Sequence, residues 1–158
     1  MNPALLEDLL QACDPESPCG EQLVYDQDFN DLESREVRWN DFRPGQAETH
    51  WQQIRDASVE LLKRSKHLQV AFWVTLSSMC IDGILGLRDG AKLMRGLLES
   101  YWEGLYPRLD PDLDDYPAET RQQIVEKFNA TTMCLTRFWK LPICSEPPAG
   151  EFTWKDCL

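Results

Sequence analysis

The sequence has only two histidines, His50 and His67, and no cysteine lies within four positions of another. Cys13, Cys19, Cys80, Cys134, Cys144 and Cys157 therefore form no pair with zinc-ligand spacing. Nor does any local arrangement support a Cys–His nucleophile. Glycine is sparse, and Gly83, Gly86 and Gly90 match neither a P-loop nor a dinucleotide fingerprint. A Glu-x-x-His iron pattern is missing. Asp110, Asp112 and Asp114 imitate the start of an EF-hand loop. However, Asp115 stands where the sharp turn needs glycine, and Arg121 where a bidentate glutamate belongs. The residues thus assign no catalytic site, no cofactor and no metal, and the expectation is a protein that is not an enzyme.

Bases are also scarce: 16 Lys and Arg face 27 Asp and Glu, for a net charge of −11. That balance repels a phosphate backbone and an anionic membrane surface alike, so nucleic acid and direct membrane insertion are excluded as expectations. The imbalance is local. Met1 to Glu36 carries ten carboxylates and one base, Arg35, whereas Glu48 to Arg108 is close to balanced. An uninterrupted apolar run of about 18 residues is lacking, and the N-terminus has no basic region of a signal peptide. The expected location is the cytoplasm, where the cysteines stay reduced.

What is present is helical periodicity. Asn2 and Pro3 open a helix as N-cap and first residue, with Leu5, Leu6, Leu9 and Leu10 as its stripe. Asp14 to Gly20 reads as a loop, 26–38 as a short helix and 40–46 as a second loop. Thr49 and Gln52 have capping-box spacing ahead of Trp51, Ile54, Leu61 and Leu62. Leu68 to Ile81 is apolar on nearly all sides, the mark of a central helix, so Trp73 is expected in the core. Gly83 and Gly86 break the chain before a third periodic run from Leu87 to Leu105. An acidic loop, 106–117, precedes one long helix from Ala118 to Trp139, which Pro142 stops.

No stretch alternates with period two, so the fold class is all-α: an antiparallel bundle of four to five main helices with an irregular N-terminal segment and no sheet. The chain reads as one helical domain, 1–158. Residues 1–46 form the acidic helix and loops, 47–142 the helical core, and 143–158 a tail that looks like the start of a truncated continuation. Most of the six tryptophans are expected in the core.

Three segments then stand out together. They are Ser17 to Asp26 (SPCGEQLVYD) with Phe29 after it, Leu61 to Trp73 (LLKRSKHLQVAFW), and Gly83 to Asp110, which contains LLESYWEGLYPRLD. In order and spacing they resemble the ImpA-type N-terminal domain of the TssA and TssA-like proteins of bacterial type VI secretion systems, from about Pro15 onward. Two positions depart from that pattern: His67, where the family usually has an acidic or amide residue, and Tyr106, where histidine is expected before the proline. The resemblance implies a non-catalytic assembly module that contacts baseplate, sheath, tube or membrane-complex components. It also implies a monomer or weak dimer for this chain, with larger assembly residing in other regions. On the residues alone, a small helical-bundle enzyme or metal-binding protein, or an unrelated helical adaptor, stays open as an alternative.

The acidic end supplies the candidate partner-binding residues. Leu23, Tyr25 and Phe29 are expected to anchor the segment to the bundle, leaving Glu16, Glu21, Asp26 and Asp28 facing outward toward a basic partner.

Overall fold

A computed structural model describes residues 2–36, 47–110, 118–129, 134, 136–146 and 150–153. The loop at 40–46, the acidic run at 111–117, Trp39, Trp154 and Cys157 lie outside them. Among the described residues, five α-helices of eight residues or more carry the fold. They are α1 (Pro3–Leu10), α2 (Gln27–Glu36), α3 (Ala47–Arg64), α4 (Leu68–Tyr101) and α5 (Glu119–Glu126). The class is all-α, as the periodicity implies.

Asn2 caps α1 as expected, its side chain accepting the Ala4 N–H at 3.0 Å. Thr49 and Gln52, by contrast, lie inside α3. Ala47 and Glu48 favour helix and start it ahead of the expected cap. α3 and the first leg of α4 run antiparallel: the short link 65–67 joins them at one end, and an Arg55–Asp82 ion pair at 3.1 Å ties them at the other.

The α4 helix is interrupted where the sequence places a break. Gly83 adopts φ 65°, ψ −141°, and the two legs fold back on each other. Their approach is close enough that a Cβ on Gly86 would sit 2.0 Å from the Ser78 carbonyl oxygen, and one on Gly90 would lie 2.6 Å from Thr75 side-chain atoms. Leu68–Tyr101 is long and apolar enough to meet the criteria for a membrane span, with a mean hydropathy of 1.7 in its best window. Its apolar surface is used inside the domain, however: Val70 to Leu76 is buried throughout, and Trp73 is fully enclosed. Trp51 is buried too, whereas Trp102 and Trp139 are substantially exposed, so the four described tryptophans divide between core and surface.

Two expectations are corrected. The run after Ala118 is not one long helix. α5 ends at Glu126 and a 3-10 turn covers Lys127–Asn129; Cys134 and the short Thr136–Phe138 turn are helical again. Asn129, where the 3-10 turn ends, is a weak helix former. The tail also holds a small antiparallel hairpin, β1 (Pro142–Glu146) with β2 (Gly150–Thr153), its register irregular between Pro142 and Cys144. Strands this short show no period-two signal; the readable cue is the Pro-Pro-Ala-Gly sequence between them.

Candidate docking surface

The three family-like segments meet at one junction. Gly20 bridges Ser65 in antiparallel fashion, the Lys66 N–H donates to the Cys19 carbonyl at 2.8 Å, and the Ser65 hydroxyl donates to the Glu21 carbonyl at 2.6 Å. On the other side of the same strip, the Tyr106 N–H donates to the Lys66 carbonyl at 2.9 Å and the Leu68 N–H to the Tyr106 carbonyl at 2.7 Å. Gly20 is required here twice over. Its φ is +70°, and a Cβ would lie 2.0 Å from the Arg64 carbonyl oxygen.

Beyond this junction the segment is anchored by Leu23 and Phe29, both buried. Phe29 packs on His67 and Trp73, with ring centroids 4.9 and 5.2 Å away. Tyr25 does not join them. It is 96% exposed, and Val24 beside it is 52% exposed. The chain turns between its two anchors (the Asp26 N–H donates to the Leu23 carbonyl at 2.9 Å) and projects Tyr25 outward.

The four candidate carboxylates separate into three roles. Asp26 is half structural. It accepts the Phe29 N–H at 3.0 Å as the cap of α2 and pairs with Arg64 at 2.7 Å. Partial desolvation would raise its carboxyl, but the bonds from Arg64 and Phe29 carry it below the ordinary value. Glu21 and Asp28 also reach Arg64, at 3.1 and 3.6 Å, yet both remain well exposed. One guanidinium thus faces three carboxylates, leaving the arc around Tyr25 net negative. Glu16 lies apart, at a hollow of about 510 Å³ shared with Cys19, Trp102 and Glu103.

Several polar residues beneath this surface are buried or half-buried. Lys66 is 1% exposed and donates to the carbonyls of Leu9 and Leu62, at 3.0 and 3.1 Å. Burial lowers its pKa, against the pull of the neighbouring Cys13. Glu36 accepts from the Trp73 indole at 3.0 Å, from Gln69 at 3.3 Å and from Lys127 at 2.9 Å, and Lys127 closes the ring on Gln69 at 2.8 Å. Arg121, weighed against a calcium-ligand position, instead gathers the carbonyls of Trp102, Leu105 and Pro107 and stacks on Trp102.

His67 caps α4, its Nδ1 accepting the Gln69 N–H at 3.2 Å, and burial lowers its pKa to about 4. His67 and Tyr106, the two departures from the family pattern, stack on each other at 6.2 Å. Together with Phe29 and Ile124 they line a cavity of about 430 Å³ that opens beside Val24.

Cys13, Cys19, Cys80 and Cys134 are free thiols. Burial pushes Cys80 up to about 12 and Cys134 to about 11, so neither is a thiolate at neutral pH. Among the described residues no three of His, Cys, Asp and Glu converge to hold a metal ion.

Fold and surface together define a helical module that carries an exposed aromatic beside acidic side chains. Residues 10–130 match the family described as ImpA, N-terminal, type VI secretion system, and the chain belongs to that family. It is 41% identical over 114 residues to the type VI secretion system component TssA1 of Pseudomonas aeruginosa, a match covering 69% of this chain and 33% of that protein. The chain thus spans about a third of that relative's length. Among solved structures it is similar to the N-terminal domain including the conserved ImpA_N region of the TssA component of the type VI secretion system from Burkholderia cenocepacia. The TM-score is 0.76 at 25% identity, covering 98% of this chain and 58% of that one. The family match begins before Pro15 and stops at residue 130, short of the hairpin. Membership removes the reading of an adaptor unrelated to secretion.

Proposed function

We propose that the chain is a non-catalytic docking module on the cytoplasmic side of the secretion apparatus. It contacts a baseplate, sheath, tube or membrane-complex component during tail assembly, and the Ser17–Phe29 face is its contact surface. The observation that supports this most is Tyr25, an almost fully exposed aromatic on a segment fixed by buried residues at both ends and flanked by Glu21 and Asp28. Amphipathic aromatics are favoured anchors of protein interfaces, and a segment whose backbone is already held in place loses little backbone entropy on binding. The surrounding carboxylates suit a basic partner and accelerate its encounter. Glu16, on its separate hollow, lies at the edge of this face.

A photo-crosslinking residue placed at position 25, in cells assembling the apparatus, tests the reading. The expected product is a single main adduct with an apparatus component, with little or none from the same residue placed at Trp139. Adducts from position 139 with none from position 25 would move the contact elsewhere.

A further inference from the structure

We infer that the cavity of about 430 Å³ beside Val24 is a receptor for one uncharged aromatic side chain of a partner polypeptide, held together with its neighbouring peptide groups. The inference deepens the docking reading, resting on it for the partner's being a protein. The volume lies in the range of small-ligand pockets and suits a single large side chain with its flanking backbone.

The walls specify the occupant. Phe29, His67 and Tyr106 contribute three rings to the lining, and Ile124 adds an apolar side chain. Ring surfaces of this kind favour another ring, stacked or edge-on. One hydrogen-bond donor is unused. His67 Nδ1 accepts from the Gln69 N–H, so the neutral imidazole carries its proton on Nε2, which has no partner among the described residues. An occupant therefore needs an oxygen acceptor, as a phenol or a peptide carbonyl provides.

The rim is made largely of neutral polar groups, including Asn30 and Gln123. Asn30 uses its NH₂ on the Val24 carbonyl and Gln123 uses its own on Glu119, leaving both side-chain carbonyls for a ligand N–H. The charges in the lining are of both signs and its two cations are engaged: Arg108 lies over the Tyr106 ring at 4.4 Å and donates to its hydroxyl, Lys127 is held by Glu36, and Glu33 adds a carboxylate. A neutral occupant fits these walls better than an anion or a cation.

Because the chain has only two histidines, the His67 imidazole can be followed in ¹H–¹⁵N spectra, assigned by its loss in His67→Gln. The full chain is titrated with N-acetyl-tyrosinamide, N-acetyl-leucinamide and acetate. The tyrosine amide is expected to shift the His67 Nε2 signal saturably in the millimolar range. The leucine amide should bind at least threefold more weakly, acetate should have no effect, and His50 should stay unmoved. Thr120→Trp, on the exposed rim, should weaken the tyrosine response at least tenfold without changing thermal unfolding.

No saturable shift up to the solubility limit, an equal response to acetate, or an undiminished response in Thr120→Trp would each overturn the assignment. The titration contains no partner protein, so its failure leaves the Tyr25 crosslink intact, and a failed crosslink leaves the titration intact.

Discussion

Lys66 places an ammonium where almost no water reaches it, at the last turns of α1 and α3, where carbonyls without helical partners collect. Removing it leaves buried acceptors unsatisfied, so Lys66→Met should cost about 2–3 kcal/mol, measured by urea unfolding. His67 introduces a pH dependence. Its pKa is depressed from 6.5 to about 4 in the folded chain, so between those values the unfolded chain binds the extra proton. Stability is therefore lost as pH falls below 6.5, by about 2 kcal/mol between pH 7 and pH 5. Denaturant titrations at the two pH values should show this loss shrinking in His67→Gln. Trp73, fully enclosed and bonded to Glu36, should lose about 3–5 kcal/mol on truncation to alanine; a loss below about 1 kcal/mol would contradict its packing. Trp73 was legible in the sequence because apolar residues surround it on every helical face. Lys66 and Glu36 were not, because a buried charge is defined by partners distant in sequence. Tyr25 reads as an anchor in the sequence yet is exposed, for the related reason that an isolated aromatic carries no sign of which way its segment turns.

Among the elements, the break in α4 separates two uses of glycine. Gly83 has open space around its Cβ position but a φ of 65° and ψ of −141° that glycine alone adopts readily, so Gly83→Ala should cost about 1–3 kcal/mol. Gly86 has ordinary helical surroundings but no room, because the other leg's backbone is in contact with it. Gly86→Ala should force the legs apart and cost about 3 kcal/mol or more, read as a lower urea midpoint than that of Gly83→Ala; the reverse order would refute the close approach. The break itself, the central helix and the first two helices follow from glycine position and a 3.6-residue period. The 3-10 turn at Lys127 and the hairpin do not. The turn is coupled to Lys127's bonds with Glu36 and Gln69, and the hairpin is too short to carry a period.

At the scale of the whole molecule, three separated segments become one surface because Gly20, Ser65 and Tyr106 share a strip of backbone hydrogen bonds. Their order along the chain identifies the family. The strip explains how residues from Ser17, Leu61 and Tyr106 onward occupy one place, which spacing alone does not reveal. The acidity of the N-terminal end was visible in composition, but its distribution was not. Arg64 draws Glu21, Asp26 and Asp28 into one arc around Tyr25 and leaves Glu16 on a separate hollow. The docking reading depends on that arc. Its most direct test is the association rate of the domain with the purified apparatus component that crosslinks at position 25, at two ionic strengths, for wild type and for Tyr25→Ala combined with Asp28→Lys. The account predicts an unchanged unfolding midpoint, association at least tenfold slower, and a flatter salt dependence. Wild-type rates with wild-type salt sensitivity in the double variant would contradict it.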